Sequence, residues 1–302
     1  MKKIALLLLL FITLDTLHAQ VIRIATYQYA DNNRIKNIQP FADHLKNKYG
    51  YETSVSSYPT VHAFIDAIQR NEVDIAFINS FGYLLLEAAG KEYPMHPVAA
   101  LEVKADARDN YKTALVISPR TKANTLADLK SLSPQLRLAL VSKGSTSGNL
   151  VPRLALSTAG IKQPEKSFAS FEYMHTHAAA IEAVLNGKAD VAATGNNEYD
   201  KYLALDSSNK GRLKLLWLSP EIPLGPVLFN NRFGSAVGRE LQTAILQLHE
   251  HDSASLEAIK SGWSEAKQTT HFVLIDSTHY EPLKSLNKDP EEFKRILKEF
   301  VQ

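Results

Sequence analysis

Leu136-Arg137-Leu138-Ala139-Leu140-Val141-Ser142-Lys143-Gly144-Ser145-Thr146-Ser147-Gly148 passes from an apolar run into a hydroxyl-rich loop, and a helical pattern begins near Asn149. Strand, glycine-flanked loop and helix in that order aim backbone N–H groups and hydroxyls at one spot, on the positive end of a helix dipole. An oxyanion fits there. Ser and Thr also favour helix N-caps for their own sake. Three consecutive hydroxyls between two glycines exceed what one cap requires, yet on this stretch alone both readings stand.

Upstream of the loop the chain alternates strands and helices. Val21 to Ala25 reads as a strand, and Tyr27 to Arg34 as a polar loop. Ile38, Phe41, Leu45 and Tyr49 repeat at helical spacing before Gly50. Glu52 to Ser57, then Val61 to Ile68, then Val73 to Ile78 repeat the alternation, and Ser80 starts a further helix. Such alternation predicts βαβ units and a parallel sheet, with ligands beyond the carboxyl ends of the strands. Tyr27, Asn79 and Ser80 fall on that side. Met95 to Val103 and Tyr111 to Ser118 are extended runs, after which the alternation starts afresh; Gly234 to Gln302 reads as mostly helical.

Ala67-Ile68-Gln69-Arg70-Asn71-Glu72-Val73-Asp74-Ile75-Ala76 resembles Ala183-Val184-Leu185-Asn186-Gly187-Lys188-Ala189-Asp190-Val191-Ala192. In both, a helix ends in a polar turn and a strand opens with Asp. Two lobes built to one design follow, and the absence of a low-complexity linker implies that they are interleaved. The expected division is 20–117 with 218–302 as the first lobe and 118–217 as the second, with hinges near Ser118 and Leu218.

Composition narrows the function. Lys2 and Lys3, the apolar run Ile4 to Leu14 and Leu17-His18-Ala19 have the order of a secretory leader, residues 1–19, too short in its apolar part to span a bilayer. With no cysteine there is no disulfide, thiolate metal site or Cys-borne lipid anchor, which implies a periplasmic protein. A formal charge of +2 and no basic patch with interleaved aromatics argue against nucleic acid. His175 and His177 lack further ligands for a metal, and no cofactor is implied.

The motifs Val73 to Phe77, Gly144 to Gly148 with Pro152, His177 to Val184 and Asp190 to Ala193 resemble the periplasmic phosphate/phosphite/phosphonate-binding proteins of ABC transporters, within the type II solute-binding superfamily. The resemblance covers nearly the whole mature chain. It implies an α/β bilobal protein, two βα sheet domains joined by a two-strand hinge, which closes on a small phosphorus oxyanion and delivers it to a permease. It also implies ligand contacts from Ser145, Thr146 and Ser147, from the ring of His177, and from Tyr111.

Two positions depart from the phosphonate binders that hold an amino group with carboxylates and a tyrosine. Gly225, in Ile222-Pro223-Leu224-Gly225-Pro226, stands in place of one carboxylate, and Asn197 in place of the other, with Glu198 adjacent. Val61 stands where the tyrosine is expected. Ligands without an amine are therefore expected to bind better than 2-aminoethylphosphonate. A sensing subunit for a membrane histidine kinase is the alternative output. An enzyme on the same scaffold would have only Glu198 with His177 as a reacting pair. A monomer is expected.

Overall fold

The computed structural model describes residues 21–107, 110–276 and 278–301; the expected leader lies outside them. Eleven strands among these residues form two mixed sheets. The first half runs β1 (Ile22–Tyr27), helix Ile35–Tyr49, β2 (Thr53–Tyr58), helix Val61–Gln69, β3 (Ile75–Phe77), helix Ser80–Ala88 and β4 (Met95–Val103). The chain then contributes β5 (Thr113–Ile117), β6 (Arg137–Leu140), helix Val151–Thr158, β7 (Ser170–Tyr173), helix His177–Leu185, β8 (Val191–Gly195), helix Asn196–Leu205 and β9 (Lys214–Leu218) to a second sheet. It returns through β10 (Val227–Asn230), helices Ser235–Leu246 and Ser253–Ser261, β11 (Thr269–Leu274) and helix Pro290–Lys298.

The sheet orders are β11-β4-β10-β3-β1-β2 and β7-β6-β8-β5-β9. The parallel expectation holds for the βαβ cores, where β1 pairs with β2 and β3, and β6 with β7 and β8. It fails elsewhere: β10 and β11 join the first sheet antiparallel, as does β5 in the second. Strand β11 also corrects the helical reading of the C-terminal part. Its Thr-Thr-His-Phe-Val-Leu run is β-branched and aromatic, and it pairs along β4.

The second crossing starts at Leu218 as expected, whereas the first lies before Ser118. Strand β5 sits between β8 and β9, so one crossing lies between Val103 and Thr113 and the other between Leu218 and Val227. The division at 117/118 falls at the end of β5 rather than before it. All five β5 residues are buried, and a fully buried strand carries no alternation to show which sheet owns it.

The repeat seen in sequence is a structural repeat. In each lobe the first strand of the parallel core lies between the other two and carries an arginine, and the third is preceded by aspartate. Arg23 donates to Asp74 from its backbone N–H (2.9 Å), Nε (2.9 Å) and Nη2 (2.8 Å). Arg137 repeats the same three bonds to Asp190, each at 2.9 Å. These fork-shaped, charge-assisted pairs fix strand register at equivalent corners. Helix caps repeat as well. Thr60 Oγ1 accepts from Ala63 N–H and Thr176 Oγ1 from Ala179 N–H, so Val61 and His177 occupy matching first helical positions.

Candidate functional site

The two lobes meet around a cavity of about 640 Å³. Its walls come from matching places in the two repeats: the loop after β1 (Tyr27, Gln28, Tyr29), the helix start at Val61, Asn79 after β3, the loop after β6 (Ser142 to Thr146) and His177. Tyr111, on the first crossing, and Gly262, Ser264 and Glu265 complete it.

The hydroxyl loop does not lead straight into an α-helix. Thr146–Leu150 forms a π-turn, and the α-helix follows from Val151. Ser145 is the cap, its Oγ accepting from Gly148 N–H at 3.0 Å. Thr146 is buried and its Oγ1 accepts from Phe81 N–H (3.2 Å) of the other lobe. Ser147 is wholly buried; its Oγ meets no partner at full hydrogen-bond geometry, and the Tyr111 hydroxyl is its polar neighbour. A buried hydroxyl left unmatched costs free energy unless something supplies the missing bond. The wider turn thus separates the three hydroxyls: one caps, one reaches across the cleft and one is buried near Tyr111.

His177 faces the same place. A methyl group added at Gly195 would lie 3.7 Å from Ser147 Oγ and 3.8 Å from His177 Cε1. The His177 ring accepts at Nδ1 from Gly195 N–H (2.9 Å), which leaves the proton on Nε2. Loss of hydration lowers its pKa to about 4, so at neutral pH it is an uncharged donor. Its backbone N–H donates to Tyr29 Oη at 3.1 Å, another contact between lobes. Tyr111 is buried, and burial raises its pKa well above the usual phenol, with the nearby Glu265 charge adding to the rise and the Ser147 and Thr146 hydroxyls opposing it.

Tyr27 lines the cavity, stacked on Phe64 with centroids 6.3 Å apart. Asn79 lines it too, but its amide is engaged: Oδ1 caps helix Ser80–Ala88 by accepting from Gly82 N–H, and Nδ2 donates to Gly144 O, both at 2.8 Å. Four expected site residues are not among those lining the cavity: Ser147, wholly buried, and Ser80, Asn197 and Glu198. Ser80 is buried and donates to the Pro223 carbonyl. Asn197 donates from Nδ2 to Asn110 O (3.0 Å), and Glu198 pairs with Lys201 Nζ (3.0 Å) on the helix surface. The reason is the register of helix Asn196–Leu205: Gly195 caps it, and its first turn packs on the crossing rather than the cleft.

Among the lining residues that sequence reasoning missed, two carry charge on the side facing the hydroxyl loop's lobe: Arg34 and Glu265. Arg34 is only 5% exposed, held between Tyr27 (4.6 Å) and Trp263 (4.5 Å), with Nε donating to Gly262 O at 2.9 Å. No carboxylate among the described residues lies within ion-pair distance, so the aromatic faces and carbonyls carry its charge. Glu265 supplies the only carboxylate among the lining residues, and its side chain takes a bond from the neighbouring Ser264 alone, at 3.2 Å. Neither belongs to a motif; Arg34 sits in a polar loop and Glu265 in a stretch read as helical.

Gly225 has a steric explanation. A Cβ there would lie 2.0 Å from Ile78 O and 2.5 Å from Asn79 Cα, so no side chain can be accommodated. Val61 lines the cavity and touches Gly144, whose Cβ would come within 2.8 Å of the valine. Among the described residues there is no cluster of three or more potential metal ligands, and no helix is long and apolar enough to cross a membrane.

Residues 24–280 match the family model of the periplasmic substrate-binding protein of phosphonate ABC transporters. The chain is 22% identical over 261 residues to a probable ABC transporter phosphite-binding protein, PhnD1, of Prochlorococcus marinus, covering 84% of each. It is 22% identical over 240 residues to the phosphonates-binding periplasmic protein of Escherichia coli, covering 78% of this chain and 68% of that one. The P. marinus PhnD1 structure in complex with methylphosphonate superposes with a TM-score of 0.66 at 18% identity, covering 91% of this chain and 99% of the other. The binding component of a Pseudomonas aeruginosa phosphonate transporter gives 0.67 at 20% identity, covering 93% and 94%. These likenesses show the bilobal fold, and the family consists of substrate-binding components rather than enzymes. The chain belongs to the family of periplasmic substrate-binding proteins of phosphonate ABC transporters.

Proposed function

We propose that the cavity captures a small phosphonate, with its oxyanion at Ser145, Thr146, Ser147 and His177, and that the loaded protein delivers it to an ABC permease from the periplasm. The observation that carries this reading is the buried Ser147 hydroxyl, which lies with the ring of neutral His177 around Gly195, at the start of two helices. Arg34 adds a fixed positive charge to the cavity lining from the other lobe. Backbone donors, neutral donors and a nearby cation stabilise a bound dianion without the repulsion a carboxylate-rich site would bring. Tyr111 borders the hydroxyl loop, and Tyr27 lines the cavity on the other lobe.

Glu265 changes the expected preference among substituents. Sequence positions 197 and 225 offered no carboxylate for an amine, but Glu265 lines the cavity within electrostatic reach of Tyr29 and Tyr111. No cation among the described residues pairs with it, and an ammonium on the ligand would do so. The cavity has the size of ordinary small-molecule sites, which leaves room for an alkyl arm. The preference drawn from sequence therefore reverses, and 2-aminoethylphosphonate is the better ligand. A thermal-shift series with phosphate, phosphite, methylphosphonate, 2-aminoethylphosphonate and sulfate tests this. The aminoalkyl compound gives the largest rise in unfolding midpoint, and Glu265→Gln removes its advantage over methylphosphonate. No shift with any phosphorus compound would defeat the reading.

A further inference from the structure

The C-terminal helix Pro290–Lys298 follows the first lobe in sequence but touches both lobes. On the first lobe, Phe293, Ile296, Leu297 and Phe300 enter the hydrophobic cluster that holds Phe81, Leu84 and Leu85, and Phe300 meets Phe81 edge-on at 5.4 Å. On the second lobe, Glu292 Oε1 accepts from Ser157 Oγ at 2.6 Å, and Arg295 Nη2 donates to Lys162 O at 2.9 Å. Lys162 Nζ stands 3.8 Å from Glu292 Oε2. Leu150, Val151 and Leu154 of the second lobe join the same apolar cluster. None of these contacts belongs to the two crossings, so the helix is a third connection between the lobes.

Phe300 continues this connection towards the ligand loop. Arg153 is 2% exposed and its guanidinium stacks on Phe300 at 5.0 Å and on Phe171 at 5.4 Å. Its Nε donates to Asn149 Oδ1 (2.7 Å) and its Nη2 to Tyr173 Oη (3.0 Å), with Glu165 as the paired carboxylate. Asn149 lies in the π-turn, and its Nδ2 donates to Lys143 O at 2.8 Å, closing the loop that carries the three hydroxyls. A planar cation buried between two aromatic rings has little freedom, so the Phe300 ring fixes the Arg153 fork, and the fork fixes Asn149.

We propose that the segment Pro290–Phe300 is an interlobe strap whose Phe300 positions the hydroxyl loop through Arg153 and Asn149. Opening of the lobes about the two crossings has to break the Ser157–Glu292 and Arg295–Lys162 bonds and lift Phe300 from Arg153. The strap therefore favours the closed arrangement and keeps the loop in its binding shape before ligand arrives, a form of preorganisation. This rests on the anion-binding reading only for its affinity arm.

Ser157→Ala and Phe300→Leu test the two ends, each substitution keeping an apolar or small side chain in place. Hydrogen exchange and small-angle scattering on the unliganded protein need no ligand. Phe300→Leu speeds exchange at residues 143–149 while leaving helix Ile35–Tyr49 unchanged, and Ser157→Ala with Phe300→Leu gives a larger radius of gyration than wild type. Methylphosphonate affinity, read by calorimetry, falls about ten-fold in the double variant. Unaltered loop exchange together with unaltered scattering in a folded double variant overturns the strap, whether or not methylphosphonate binds. Absence of methylphosphonate binding in wild type with the exchange change intact would count against the ligand reading and leave the strap standing.

Discussion

Asn79 Nδ2 donates to the carbonyl of Gly144 at 2.8 Å, from the first lobe to the ligand loop of the second. The same side chain caps helix Ser80–Ala88. One amide thus ties the start of a first-lobe helix to the loop across the cleft, and its two functions fail together. Asn79→Ala loses a cap worth about 1 kcal/mol, which lowers the unfolding midpoint by roughly 2–4 °C in a protein of this size. Loss of the cross-cleft bond weakens ligand binding by roughly five-fold, about 1 kcal/mol. Calorimetry beside a thermal melt separates the two; a change in stability with unchanged affinity would show that the cross-cleft bond is immaterial to closure.

The repeated Arg–Asp corners are unequal. Asp74 is fully buried and takes bonds from Arg23 and Arg232, whereas Asp190 is partly exposed and takes them from Arg137 alone. Asp74→Ala should cost about 3 kcal/mol in urea denaturation and Asp190→Ala less, because a buried partner is the harder loss. Burial opposes ionisation of Asp74, but the arginine bonds outweigh it and hold its pKa at about 2. Its folded pKa lies below the unfolded value near 3.9, so its stabilisation is complete above that value and is lost as pH falls through about 2. Equal costs for the two substitutions would contradict this ranking.

Gly225→Asp cannot restore a ligand carboxylate, since its Cβ would overlap Ile78 O. The expected outcome is a destabilisation of about 3 kcal/mol or more with no gain for 2-aminoethylphosphonate. A stable variant that bound the aminoalkyl compound more tightly would show that the strand β3 corner can yield.

His177 has its pKa lowered to about 4, against about 6.5 in an unfolded chain. The folded state therefore prefers the neutral ring. Its contribution is full above pH 6.5 and declines as pH falls towards 4, where the unfolded chain binds the proton and the folded one does not. With partial solvent screening the loss is about 1–3 kcal/mol. His177→Gln should flatten the fall in unfolding midpoint between pH 7 and pH 4.5; an unchanged slope would place a protonated histidine in the site.

Much of the architecture was legible because it repeats. The similarity of 67–76 to 183–192 reflects two turns followed by Asp74 and Asp190, and the structure closes both onto an arginine of the first core strand. The hydroxyl loop and the helix opening at His177 were legible for the same local reasons: caps and periodicity are properties of neighbours in sequence. The rest depends on distant pairing. Strand β5 is buried on all sides and takes its sheet from β8 and β9, which no local pattern announces. Glu265 and Arg34 reach the cavity through Asn110, Gly262 and Trp263, far away in sequence from the loop they face. Glu198 was nearer in sequence to the expected ligand position, but its carboxylate pairs with Lys201 of its own helix.

On the proposed reading, the buried Ser147 hydroxyl, with His177, receives the oxyanion of a phosphonate. Titration calorimetry of 2-aminoethylphosphonate and methylphosphonate into wild type and Ser147→Ala measures this directly. Saturable one-to-one binding is expected in wild type, with a loss in the folded variant of about ten- to a hundred-fold for both ligands, the value of one hydrogen bond to a charged group. Equal affinity in wild type and Ser147→Ala, or no saturable binding of either compound to wild type, would contradict it.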